Sequence, residues 1–174
     1  MITSQAGYPS ELQAKLEELQ NNIAYRFQNL NLLVRALTHK SYDNENPGRS
    51  EGHNEVLEFL GDAVLDLSLG HYLIGKFPGD EEGSLSKKRA SLVNESTLSV
   101  IAGHLGLEEL ILLGRGEKTS GGSRKPRLLA SALEAVLGAV FLDSGFDQAS
   151  QTIHRLFAPR VETQDWSADF VQDY

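Results

Sequence analysis

The sequence has no cysteine, which excludes both a disulfide framework and a zinc site built on thiolates. It also has no apolar run near the ~18 residues that a membrane-spanning helix needs. The first five residues, MITSQ, lack the basic start and apolar core of a secretory signal. We therefore expect a soluble, cytoplasmic protein with no membrane contact.

Positive charge is scarce, with 16 Lys and Arg against 24 Asp and Glu and a net charge of -8. This argues against a general polyanion binder, because affinity for nucleic acids depends largely on neutralising phosphates with Lys and Arg. An RNA-binding role would need locally concentrated charge. Residues 114–127, GRGEKTSGGSRKPR, provide it and are expected to be flexible and exposed; we call them the basic segment, with Arg115, Lys118, Arg124, Lys125 and Arg127. A shorter cluster, KKR at 87–89, could either bind phosphates or form an ordinary solvated face, and the sequence favours neither.

The alternating pattern of β-strands is also missing, whereas helical spacing recurs along the chain. With 40% hydrophobic residues in 174, one domain with a real core is expected. Helices are predicted at about 11–23 after an N-cap at Ser10, 30–37, 54–76, from Ser84 or Ser86 to 105, 128–142, 147–157 and 165–173, with a polar loop at 43–52. The fold class is therefore all-α, with a domain over 1–160 followed by a helix or linker start at 161–174.

Helix 54–76 carries a stripe of carboxylates. Its acidic residues fall within an arc of roughly 80°, and no Lys or Arg lies between them: Glu55, Glu58, Asp62 and Asp66. Like charges three and four residues apart destabilise a helix by ~0.2–0.5 kcal/mol per pair. The stripe is therefore either a solvated acidic face or a site for a cation.

The helix at 128–142 favours the cation, because Glu134 is its only charged residue. A lone carboxylate on a buried helix is costly unless it is paired or binds a metal. Gly138, one turn later, would let another helix approach closely. Two packed helices would then present Glu58, Asp62 and Glu134 to one divalent ion. Oxygen ligands without Cys or His favour Mg²⁺ or Mn²⁺, which suits phosphodiester hydrolysis.

Five ordered motifs resemble the ribonuclease III family over about residues 11–160: ALTHKSY, HNEVLEFLGDAVL, FPGDEEGSLSKKRASLV, GEKTSGGSRKP and LLASALEAVLGAVFLDSGF. The resemblance implies a helical, Mg²⁺-dependent endonuclease domain of RNA and rRNA processing. It also implies a homodimer that holds double-stranded RNA in a valley between subunits and cuts both strands. Relatives often continue into a double-stranded-RNA-binding domain, which we do not expect within these 174 residues.

The resemblance also implies residue roles. Glu58, Asp62 and Glu134 match catalytic metal ligands, and Glu55 and Glu82 match acidic residues lining the RNA valley. Asp66 is not carried over and is expected to face solvent or a basic neighbour. Phe59 matches a residue that enters a socket in the partner subunit, the alternative being ordinary core packing.

The chain departs from the family at Ser131, where the pattern has Asp three residues before the Glu of the second helix. A hydroxyl is a poorer Mg²⁺ ligand than a carboxylate, so the resemblance implies an impaired nuclease, through natural change or deliberate substitution. The rival interpretation is a non-catalytic scaffold that binds double-stranded RNA or the ribosome. A helical interaction module without RNA would leave the basic segment unexplained. Val56 also stands where the family usually has Arg.

Overall fold

The computed structural model describes residues 7–167. Within them no β-strand forms, and an isolated bridge pairs Thr38 with Leu112, so the all-α prediction is confirmed. The α-helices are α1 (Ser10–Ile23), α2 (Leu30–Ala36), α3 (Lys40–Glu45), α4 (Glu55–Lys76), α5 (Glu82–Val93), α6 (Glu95–His104), α7 (Arg115–Thr119), α8 (Pro126–Ser144) and α9 (Phe146–Thr163). Short 3-10 helices lie at Leu107–Glu109 and Gly122–Arg124.

Helix α8 is the centre of the fold and packs against α2, α4, α6 and α9. It begins at Pro126, whose missing N–H costs nothing in the first turn of a helix, and it ends before Gly145. Most of its residues are buried, including Leu133, Val136 and Leu137. Truncating such a side chain to Ala typically costs about 2–5 kcal/mol. The rigid position of α8 fixes the side chains that it presents at its surface.

Several predicted boundaries are wrong for local reasons. Ser10 is the first residue of α1 rather than its cap, and α5 begins at Glu82 without a serine cap. The predicted helix to residue 105 is divided at Asn94, whose side chain accepts a hydrogen bond from the Thr97 N–H and starts α6.

The helices predicted near the C-terminus differ from those in the structure. Helix α9 extends to Thr163, and a turn occupies the start of the predicted helix 165–173. The rest of that helix, including Phe170, lies outside the described residues. The boundary at residue 160 stays a prediction. No helix in residues 7–167 combines the length and hydropathy needed to cross a bilayer.

Candidate functional site

Helices α4 and α8 meet backbone to backbone at two glycines. A Cβ atom on Gly61 would overlap the carbonyl oxygen of Glu134, and a Cβ on Gly138 would overlap the carbonyl oxygen of Leu57. The close approach predicted from Gly138 is therefore confirmed, while its counterpart Gly61 was not predicted. With no side chain between the helices, the residues flanking this seam face each other at short range.

Four carboxylates surround the seam, three from α4 and one from α8. Partial burial, together with the negative charges of Asp62, Glu58 and Asp66, raises the pKa of Glu134 to about 7. No ion pair in residues 7–167 involves Glu134, Glu58 or Asp62. These three carboxylates therefore carry negative charge that no ion pair in this part of the chain neutralises.

Asp66 lies at the far end of this group. Burial and the charge of Asp62 raise the pKa of Asp66, whereas the guanidinium of Arg89 on α5 opposes that change. Asp66 thus has the basic neighbour that was expected for it, and it still contributes to the negative potential at Glu134.

Ser131 lies one turn before Glu134 on α8, and its hydroxyl donates a 3.0 Å hydrogen bond to Oε1 of Glu58. The sequence predicted that Ser131 would share the face of Glu134, but not that Glu58 would be its partner. The bond joins α4 to α8 across the seam. It also uses one acceptor position on a carboxylate that we expect to bind a metal.

The donor set fits a divalent cation in its chemistry. Carboxylate oxygens are hard ligands of the kind that Mg²⁺ and Mn²⁺ prefer, and a bound cation would balance the charge that raises the pKa of Glu134. Within residues 7–167, no group of three or more acidic or histidine side chains is already arranged as a metal site. The carboxylates are gathered near the seam but not drawn together around one point.

The two other predicted acidic residues, Glu55 and Glu82, have contacts of their own. Glu55 forms an ion pair with Lys40 at 3.6 Å. Glu82 begins α5, accepts a 2.7 Å hydrogen bond from Ser86 and lines a groove between α4 and α5 that also contains Arg89. These positions suit residues that border a site rather than residues at its centre.

A cavity of about 220 Å³ is lined by Glu55 and Glu58, together with Lys40, Arg127 and Ser131 among others. Arg127, Ser131 and Glu134 follow each other on α8 at spacings of four and three, which places them on one helix face. A cation of the basic segment therefore lies directly beside the acidic group. Lys40 in this cavity was not predicted from the sequence.

The basic segment is folded rather than flexible, which corrects the sequence-based expectation. It forms α7 and a 3-10 helix, and the backbone N–H of Arg115 donates to both carboxylate oxygens of Glu45 at 3.0 Å. Lys125 is paired with Glu117 at 3.0 Å, a contact that lowers the pKa of Glu117. The exposed cations that remain at this surface are Arg115, Lys118, Arg124 and Arg127.

Helix α4 also exposes an apolar stripe next to its carboxylates, consisting of Val56, Phe59, Leu67 and Ile74. Their spacing confines them to an arc of about 80° along the helix. Phe59 is 80% exposed, so the alternative of core packing within this chain is wrong. Large apolar side chains exposed along one helix face mark a surface for another protein.

Comparisons with known proteins agree with these features. A family model described as Ribonuclease-III-like matches residues 29–161. The chain is 51% identical over 158 residues to Ribonuclease 3 of Bdellovibrio bacteriovorus, covering 91% of this chain and 67% of that protein. It is 51% identical over 142 residues to Ribonuclease 3 of Syntrophobacter fumaroxidans, covering 82% of this chain and 59% of that protein.

A solved structure is also similar, with a TM-score of 0.77 and 46% identity over 83% of this chain and 96% of the other. It is the nuclease domain of ribonuclease III from Campylobacter jejuni, described for structural flexibility in a region involved in dimer formation. The chain thus spans about two thirds or less of the two curated relatives, while it matches nearly all of a nuclease domain.

Proposed function

The chain belongs to the ribonuclease-III-like family, and on that premise we propose that it is an endoribonuclease that cleaves double-stranded RNA with a divalent cation. The observation that carries the proposal is Glu134, half-buried beside three other carboxylates with no ion pair to it in residues 7–167. Such a charge arrangement is costly for the fold and suits a cation-binding site.

In this proposal Glu58, Asp62 and Glu134 hold Mg²⁺, or Mn²⁺ in its place. The cation would supply an activated water and balance charge developing on a phosphoryl oxygen. The chain's own residues hold the carboxylates near one another, since the glycine seam fixes α4 against α8. Arg127 would bind an RNA phosphate beside the acidic group.

Ser131 reduces this activity in our proposal. A hydroxyl adds no negative charge to the group, and its hydrogen bond to Glu58 competes for an oxygen that would otherwise bind the cation. We expect cleavage slower by on the order of 10², equivalent to roughly 3 kcal/mol of barrier, than in a chain with Asp at this position.

A second candidate is a non-catalytic scaffold that binds double-stranded RNA or the ribosome, and Ser131 is the observation that favours it. The hydrogen bond from Ser131 stabilises the α4–α8 seam without a cation. The basic surface would serve this function as well as it serves a nuclease. The two functions differ only in whether bound duplex is cut.

We further propose that the enzyme is a homodimer acting in RNA processing, including rRNA processing, in the cytoplasm. A second copy would cover the apolar stripe of α4, with Phe59 entering a socket of the partner. The dimer would place two acidic groups and two basic surfaces along one duplex. Glu55 and Glu82 would border the valley between them.

The decisive experiment compares the chain with Ser131→Asp on long duplex RNA at saturating Mg²⁺, with EDTA as the control. We expect Mg²⁺-dependent fragments from both, and at least about 10²-fold faster cutting by Ser131→Asp. Equal rates would show that the ion is held by another set of residues, for which Asp66 is a candidate. If both proteins bind duplex and neither cuts it, the scaffold is the function.

A further inference from the structure

The cluster KKR at 87–89 is divided among three environments, and its middle residue is inside the protein. Lys87 is exposed, Arg89 lies near Asp66, and Lys88 is only 4% exposed. The Nζ atom of Lys88 donates to Oδ2 of Asp80 at 2.6 Å and to Oγ of Ser84 at 2.9 Å. A buried lysine needs such partners, because an isolated charge costs several kcal/mol to bury.

These bonds fix the backbone on both sides of Glu82. Asp80 lies in the turn after α4, Ser84 lies in the first turn of α5, and the Ser84 hydroxyl also donates to Asp80 at 2.7 Å. Glu82 is two residues from each of them. Since residues two apart on a helix point to nearly opposite sides, anchoring Ser84 inward leaves Glu82 to line the α4–α5 groove.

Two aromatic rings complete the enclosure of Lys88. Its Nζ atom lies 4.8 Å from the ring centre of Phe77 and 5.7 Å from that of Trp166, and the two rings pack edge to face. Trp166 comes from the segment after α9, where its indole N–H donates to the carbonyl of Val161 at 3.1 Å. Cations over aromatic rings gain most when they are desolvated, as here.

We propose that Lys88 is a positioning residue for Glu82. Lys88 binds Asp80 in the α4–α5 turn and Ser84 at the start of α5, and it lies against the Trp166 ring. These contacts fix the backbone around Glu82 and so the position of its carboxylate. The inference rests on the proposed function, in which Glu82 borders the RNA valley. It adds a role for a buried cation that touches neither RNA nor the acidic group. Arg89, on the groove side of α5, is not part of this anchor.

The test combines a structural and a kinetic measurement. Lys88→Met is compared with Lys87→Met, a matched change at the exposed neighbour. Ser84→Ala, which removes one hydroxyl and keeps the ion pair, serves if Lys88→Met does not fold. Hydrogen exchange, measured by mass spectrometry, reports the stability of residues 79–86. Cleavage of duplex RNA is measured in a Ser131→Asp background, once with Glu82 intact and once with Glu82→Gln.

We expect faster exchange in residues 79–86 for Lys88→Met and Ser84→Ala, and no change for Lys87→Met. The kcat of Lys88→Met should fall by about 10-fold, as for residues that orient a functional group, with little change in KM. In the Glu82→Gln background the same substitution should have no further effect, because it acts through Glu82. If Lys88 only stabilised the fold, Lys88→Met would lower kcat by the same factor with Glu82 intact and in the Glu82→Gln background.

Unchanged exchange in residues 79–86, or an equal loss of kcat with and without Glu82, would overturn the inference. So would a Glu82→Gln variant that cuts as fast as its parent. Failure of every variant to cut would contradict the proposed function instead, and the exchange measurement would still decide whether Lys88 anchors the turn.

Discussion

Replacing Glu134 by Gln should change how the stability of the fold depends on pH. The folded protein holds this carboxyl at a pKa of about 7, against an ordinary value of 4.5, because of burial first and then the charges of Asp62, Glu58 and Asp66. Between these two values the folded state binds more protons than the unfolded state. The free energy of unfolding therefore falls as pH rises from about 4.5 through 7, and levels off above it.

The size of this loss follows from the two pKa values. At about 1.4 kcal/mol for each pH unit between them, the upper bound is about 3.5 kcal/mol. Part of the Glu134 side chain reaches solvent, which screens the repulsion, so we reduce the expected loss to about 1–2 kcal/mol. Glu134→Gln keeps the shape and cannot ionise, and it should be more stable than the parent by that amount at pH 8 and nearly equal at pH 5.

Urea denaturation in EDTA at both pH values measures the effect, with Glu18→Gln on the exposed face of α1 as the matched control. The difference between Glu134→Gln and its parent at pH 8 should shrink when Mg²⁺ is added, since a cation bound to the native state stabilises the parent. A parent whose stability does not fall between pH 5 and 8 relative to Glu134→Gln would refute the reasoning about the unbalanced charge.

Three further outcomes are expected. Phe59→Ala should turn the dimer into a monomer in sedimentation at micromolar concentration while the chain stays folded, and an unchanged dimer would contradict the proposed interface. Lys118→Glu with Arg124→Glu should weaken duplex binding and flatten its salt dependence, by about 0.9 in log-log slope per lost phosphate contact; unchanged affinity would move the RNA surface elsewhere. Gly61→Ala should cost about 3 kcal/mol or more in urea denaturation, because the added methyl group meets backbone of α8, whereas Gly75→Ala in open space on the same helix should be tolerated.

The sequence predicted the features that depend on spacing along one helix. The carboxylate stripe, the buried helix around Glu134 and the close approach at Gly138 all follow from periodicity and composition, and the structure contains them. The resemblance to a known family added Glu82 and Phe59, which no spacing argument identifies. The structure leaves the Phe59 side chain exposed, as its implied role at a partner subunit requires.

What the sequence did not predict depends on partners distant in the chain. Lys88 lies in a charged triplet that is typical of a surface, and its burial requires Phe77 and Trp166, which only the folded chain brings together. The folding of the basic segment similarly depends on Glu45, about 70 residues away. Ser131 was expected beside Glu134, but its bond to Glu58 depends on the register between α4 and α8.

The glycine seam has a consequence for how the chain can change over time. Elsewhere in the core, an enlarged side chain can be offset by a smaller neighbour, because leucines and valines exchange volume with one another. At Gly61 and Gly138 the neighbours are backbone atoms of the opposite helix, which no substitution can make smaller. A selection for second-site suppressors of Gly61→Ala should therefore return reversion rather than compensating core substitutions.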